Sequence, residues 1–164
     1  MIKTGTNYYI VKKKPTIHEA IHIGKRSWGW EMSWQYTDKR DWPRWCDTNH
    51  MTDSDGRYLL ERGLPHAINS VEDIRAYLET GEWVLVDEYG TVYGEEPHEV
   101  TYDDGTTETV NDWRTELQEL EAWDGGKSGW NERNPDNPVT WELQRHAGGF
   151  QDQNGNHFTW EGFC

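Results

Sequence analysis

Hydrophobic and polar positions divide the chain into many short extended segments and two helical ones. The longest alternation covers residues 28–36. Trp28, Trp30, Met32, Trp34 and Tyr36 fall on one face of an extended chain, with Gly29, Glu31, Ser33 and Gln35 on the other. Period-two alternation predicts a half-buried strand, and its five large side chains make it the expected centre of the core. Residues 6–11 (TNYYIV) and 83–86 (WVLV) predict further strands; Asp87-Glu88-Tyr89-Gly90 turns the second into residues 91–93. Residues 99–102 and 106–110 predict a hairpin around Asp103-Asp104-Gly105, residues 139–143 a strand, and residues 150–160 a last hairpin around Asn154-Gly155.

Helical period appears twice. Val71, Ile74, Tyr77 and Leu78 form one stripe, with Ser70 as N-cap, Asp73 at the capping-box position and Gly81 as the stop. Trp113, Leu117, Leu120 and Trp123 form another, capped by Asn111 and stopped by Gly125-Gly126. Residues 37–63 and 124–138 read as loops, the first pinned to the body by Trp42 and Trp45. Together these elements predict an α+β fold, a mainly antiparallel sheet with two packed helices and an aromatic, Trp-rich core.

Composition sharpens this picture. Only 34% of the 164 residues are hydrophobic, but eleven Trp, eight Tyr and three Phe supply apolar area that a disordered chain lacks. The length, without repeat or linker, predicts one domain. Residues 1–50 carry nine Lys/Arg and five Asp/Glu (+4), and residues 51–164 carry seven and twenty-five (−18), summing to −14. The acidic bulk argues against non-specific nucleic-acid binding, which needs clustered cations. It suits a basic partner. Two cysteines, Cys46 and Cys164, form neither a disulfide framework nor a CxxC zinc pair. No signal peptide or membrane-spanning run is recognisable, which predicts an intracellular protein without membrane association.

The candidate chemistry lies just before the Trp alternation. His22, Gly24, Lys25, Arg26 and Ser27 read as a polar loop whose cations and hydroxyl suit a phosphate, with Gly24 allowing close approach and Trp28 or Trp30 stacking a base. The alternative is a tight turn with solvated cations. His18-Glu19-Ala20-Ile21-His22 has the spacing of a helical zinc site, His18 and His22 as ligands and Glu19 as base. Pro15 and Gly24 leave scarcely two turns for that helix, so no metal or other cofactor is expected. Asp87 and Glu88 beside Tyr89 read as a charged turn before they read as ligands. No GxSxG element or Walker loop is present.

Four segments in order, GTNYY, HIGKRSWGWEMSWQ, INSVEDIRAYLETG and VDEYG, over roughly residues 5–90, resemble a family of small tailed-bacteriophage proteins. The resemblance implies a phage accessory protein in the host bacterial cytoplasm and carries over no catalytic residue. Many relatives place a cysteine pair before HIGK, like a zinc knuckle; here the interval is KKKPTIHEA, so no structural zinc follows. Residues 1–95 then form the common core and residues 96–164 an acidic elaboration. The expected function is binding that inhibits or sequesters a host factor without turnover, with Trp-rich surfaces as interface anchors. A first alternative is a nucleotide or cyclic-nucleotide sponge at HIGKRS, its partner a phosphate-bearing small molecule. A second is a phosphodiesterase or hydrolase using His22 or a metal.

Overall fold

The computed structural model describes residues 5–13, 18–38, 66–138 and 149–160, with the backbone alone at Lys13, His18 and Glu19. Among them, a sheet of seven strands runs in the order β5-β4-β1-β2-β3-β9-β8. Its members are β1 (Gly5–Lys13), β2 (His18–Ser27), β3 (Ser33–Gln35), β4 (Trp83–Asp87), β5 (Val92–Tyr93), β8 (Gly149–Gln151) and β9 (His157–Thr159). All neighbours are antiparallel except β3 and β9, which pair in parallel. A separate two-stranded ribbon joins β6 (His98–Thr101) to β7 (Thr107–Val110). Three helices complete the described residues: α1 (Val71–Glu79), α2 (Trp113–Glu121) and α3 (Lys127–Arg133). The fold is α+β.

Alternation along β1 sets up two faces. Tyr8 and Ile10 join a core with Ile21, Ile23, Trp34, Leu85 and Phe158 of the sheet. Onto it pack Val71, Ile74, Tyr77 and Leu78 of α1, and Trp113, Leu117 and Leu120 of α2. Tyr9 and Val11 point the other way, beside Ala20 and Val86. Trp34 stacks on Phe158 at 6.1 Å between ring centres, and Tyr77 meets Trp83 edge-on at 5.1 Å. The aromatic core expected from composition is therefore real, and it includes residues from both ends of the chain.

Local chemistry explains the helix starts. Ser70 Oγ accepts from the Asp73 backbone N–H at 3.2 Å, leaving α1 with a satisfied donor and acidic residues in its first turn. Helix α2 is capped by Asp112, which accepts from Thr115 N at 3.0 Å, and not by Asn111. Both residue types cap well, and Asn111 has other bonds to make.

The strand predicted over residues 28–36 is corrected most. Trp28 and Gly29 form a turn, Trp30 makes an isolated bridge, and the strand itself is limited to Ser33–Gln35. Gly29 has φ +84° and its N–H donates to Gly125 O, which breaks the extended run that alternation implied. Conversely, HIGKRS is no loop but the second half of β2. Residues 124–138 contain the short α3 where a loop was expected. The segments around Trp42, Trp45 and 139–143 lie outside the described residues.

Candidate functional site

Strand β2 decides where the sequence-predicted site residues go. Its register against β1 jumps from Tyr9↔His22 to Tyr8↔Gly24, so Ile23 is an extra residue in a β-bulge. The bulge lets Ile23 and the following Gly24 share the helix-covered face. His22, Lys25 and Ser27 take the opposite face, and Arg26 returns to the helix side. The five candidates of the HIGKRS segment thus split between two sides of a sheet and build no common phosphate cradle. Gly24 permits a close approach, but by β3: a Cβ there would lie 2.5 Å from Ser33 O and 2.7 Å from Met32 Cε. Trp30 is half-buried, and Trp28, 45% exposed, packs edge-on against Trp123 at 5.3 Å.

The helical zinc reading of HEAIH does not survive this geometry. His18, Glu19 and His22 lie on an extended strand, where backbone positions four residues apart are separated by about 13 Å. His22 instead belongs to a buried relay. Asn7 donates through its backbone N and Nδ2 to Glu88 Oε1, at 2.8 and 3.3 Å. That fixes the amide orientation, so Asn7 Oδ1 faces His22 Nε2 at 2.9 Å and accepts its hydrogen. Burial, opposed by a hydrogen bond involving the Gly24 backbone and aided by nearby Lys25, pulls the His22 pKa down to about 4. The ring is neutral at physiological pH.

Arg26 enters a different environment. Its guanidinium lies over the Trp123 ring at 5.2 Å and reaches a cavity of about 320 Å³ between β1, β5, β7 and α2. Tyr8, Tyr93, Asn111, Glu116, Glu119 and Glu108 are among its lining residues. Tyr8 Oη donates to Glu116 Oε2 at 2.8 Å. Asn111 Nδ2 donates both to Glu116 Oε1 and to Glu119 Oε2, each at 3.0 Å. Burial raises the Glu116 pKa, and the bonds from Asn111 and Tyr8 together with the charge of Arg26 oppose that rise. Burial also pushes both tyrosine hydroxyls well above their ordinary range, reinforced at Tyr8 by the Glu116 charge. These phenols remain protonated donors.

Asp87 and Glu88 diverge. Fully buried Asp87 closes its own turn, accepting from Tyr89 N and Thr91 N at 2.9 and 3.0 Å and from Tyr93 Oη at 2.9 Å. Glu88 serves the Asn7 relay on the other face. No cluster of three or more His, Cys, Asp or Glu placed to hold a metal occurs among the described residues. No helix among them is long and apolar enough to cross a membrane.

Arg26 is the one sequence-predicted site residue that lines the cavity. Its companions were missed because they come from distant segments. One signal was present: Glu116 falls on the same helical face as Trp113 and Leu120, and a carboxylate inside an apolar stripe needs partners. Comparison of the chain with family models, curated proteins and solved structures gave no match.

Proposed function

We propose that the protein is a phage accessory protein that binds a basic host factor and inhibits or sequesters it without turnover. The observation that carries this reading is the acidic face formed by the β6–β7 ribbon and α2. Residues 95–121 hold ten Asp/Glu and one Arg, and seven of the ten acids (Glu95, Glu96, Glu99, Asp103, Asp104, Glu108 and Glu119) are exposed. Arg114 is already engaged by Glu95 at 3.1 Å. Such a one-sign surface costs stability through self-repulsion and accelerates encounter with a cationic partner. The buried polar groups have structural partners: Asp87 accepts from Tyr93 and two backbone N–H groups, Glu116 from Tyr8 and Asn111, and His22 is bonded to Asn7. The phage assignment rests on the sequence resemblance.

The test is capture from a bacterial lysate on the immobilised protein, paired with the variant Glu96→Lys/Glu99→Lys/Asp103→Lys. These three side chains make no described hydrogen bond, so the variant should fold. A host protein retained by the natural sequence, lost by the variant and eluted by salt fits the proposal. The purified factor must then lose activity when the protein is added. Equal capture by both baits, or a captured factor whose activity is unaffected, sinks the proposal.

A further inference from the structure

The Arg26 cavity brings opposite charges together without a direct ion pair between them. Arg26 has no hydrogen bond or ion pair to any carboxylate among the described residues; its described contact is the Trp123 ring. Three carboxylates, Glu108, Glu116 and Glu119, line the same space. Asn111 ties Glu116 and Glu119 together, so their positions are set in advance. Glu116 accepts two described bonds and Glu119 one, whereas a carboxylate offers about four lone-pair sites. Acceptor capacity and guanidinium donors therefore both remain on the lining of one cavity.

A second observation concerns Thr6. Its hydroxyl is buried and has no hydrogen-bond partner among the described residues. Thr6 pairs across the ladder with Arg26 and shares the sheet face of Tyr8. A buried donor without a partner costs about 1–3 kcal/mol; Thr6 itself is not among the residues that line the cavity.

We propose that this cavity binds a small zwitterion of the amino-acid class, its carboxylate on Arg26 and its ammonium among Glu108, Glu116 and Glu119. Charge selects the class. The lining carries −3 from the carboxylates and +1 from Arg26, so a phosphate monoester meets net repulsion. A simple amine satisfies the acids but leaves the guanidinium without an acceptor. A zwitterion answers both kinds of group, and the planar fork of Arg26 suits a carboxylate in bidentate contact. The volume of about 320 Å³ stands at the small end of ligand sites and matches an amino acid better than a nucleotide. Trp123 beneath the guanidinium holds it in place, so little ordering is needed on binding. The cavity shares Glu108 and Glu119 with the acidic docking face, but none of the three residues altered in that test lines the cavity, so the two tests fail separately.

The experiment is calorimetric titration and thermal shift of the whole protein with the standard amino acids. The best binder is compared with its decarboxylated amine, its deaminated acid and inorganic phosphate. At least one amino acid should bind below about 1 mM and raise the melting temperature, with both truncated analogues weaker by about tenfold or more. Arg26→Met keeps an apolar stem on Trp123 but removes the donors, and it should abolish binding. Glu119→Gln, at an exposed position, should weaken binding about tenfold and leave the ligand-free melting temperature unchanged. If Arg26→Met fails to fold, Glu119→Gln still decides. No amino acid binding at about 10 mM overturns the proposal. So does an amine or phosphate binding as tightly as the best amino acid, or affinity unchanged in Glu119→Gln.

Discussion

Acid should weaken this fold through one histidine, and the size of the effect follows from the buried relay. Free in the unfolded chain, His22 titrates near 6.5; in the folded protein it titrates at about 4. Between those values the unfolded chain takes up a proton that the native state refuses. Stability therefore falls as the pH falls through this window, by up to about 1.4 kcal/mol per pH unit. The whole window amounts to about 3 kcal/mol, a sizeable part of the 5–15 kcal/mol typical of a domain. Above 6.5 the ring is neutral in both states and the contribution is complete. Glu116 acts in the opposite sense: its pKa is raised by burial, so the native state holds that proton more tightly and gains stability as pH drops. The assay is urea unfolding between about pH 7 and pH 4 for the natural protein, His22→Gln and Glu116→Gln. Glutamine keeps a donor for Asn7 Oδ1 but cannot titrate. The stability difference between natural protein and His22→Gln should change by about 3 kcal/mol across the window. A difference constant to within about 0.5 kcal/mol would refute the buried neutral ring. Glu116→Gln should steepen the acid loss.

Other perturbations read out other parts of the fold. Asp87→Ala strands two backbone N–H groups and the Tyr93 hydroxyl, and should cost about 3 kcal/mol or more in urea unfolding, against about 1 kcal/mol for Asp87→Asn, which keeps the turn bonds. Gly24→Ala drives a methyl into Ser33 O and Met32 Cε and should destabilise by about 2 kcal/mol, visible as a lower melting temperature. Trp34→Ala empties the contact with Phe158 and should cost about 3–5 kcal/mol, with the loss of near-ultraviolet circular dichroism marking the collapsed aromatic layer.

Elements with strong local signals were legible in the sequence. Ser70 caps α1 as its spacing implies, and Gly155, with φ +83°, turns the β8–β9 hairpin where Asn154-Gly155 predicted it. Elements fixed by tertiary pairing were not. The aromatic alternation over residues 28–36 is perfect in sequence, yet a left-handed Gly29 and a strand limited to Ser33–Gln35 reduce it to three residues. HIGKRS looks like a loop because His22, Lys25 and Ser27 are polar. Those side chains share one face, and the ladder to β1 supplies the order that composition does not show. The cavity was illegible for a related reason: Tyr8, Arg26, Tyr93 and Glu116 meet only after strands and helix have assembled.

The parallel pairing of β3 with β9 has a consequence for how the chain is made. Trp34 must wait for Phe158, and at about 5–20 residues per second a ribosome needs on the order of ten seconds to deliver it. During that interval β3 has β2 on one side and an open edge on the other, with a tryptophan awaiting its stacking partner. Exposed strand edges with large apolar side chains invite pairing with other chains. Nascent copies on neighbouring ribosomes are therefore at their most adhesive before residues 149–160 emerge. A version that stops short of β9 should accumulate as aggregate, whereas the finished chain closes that edge itself.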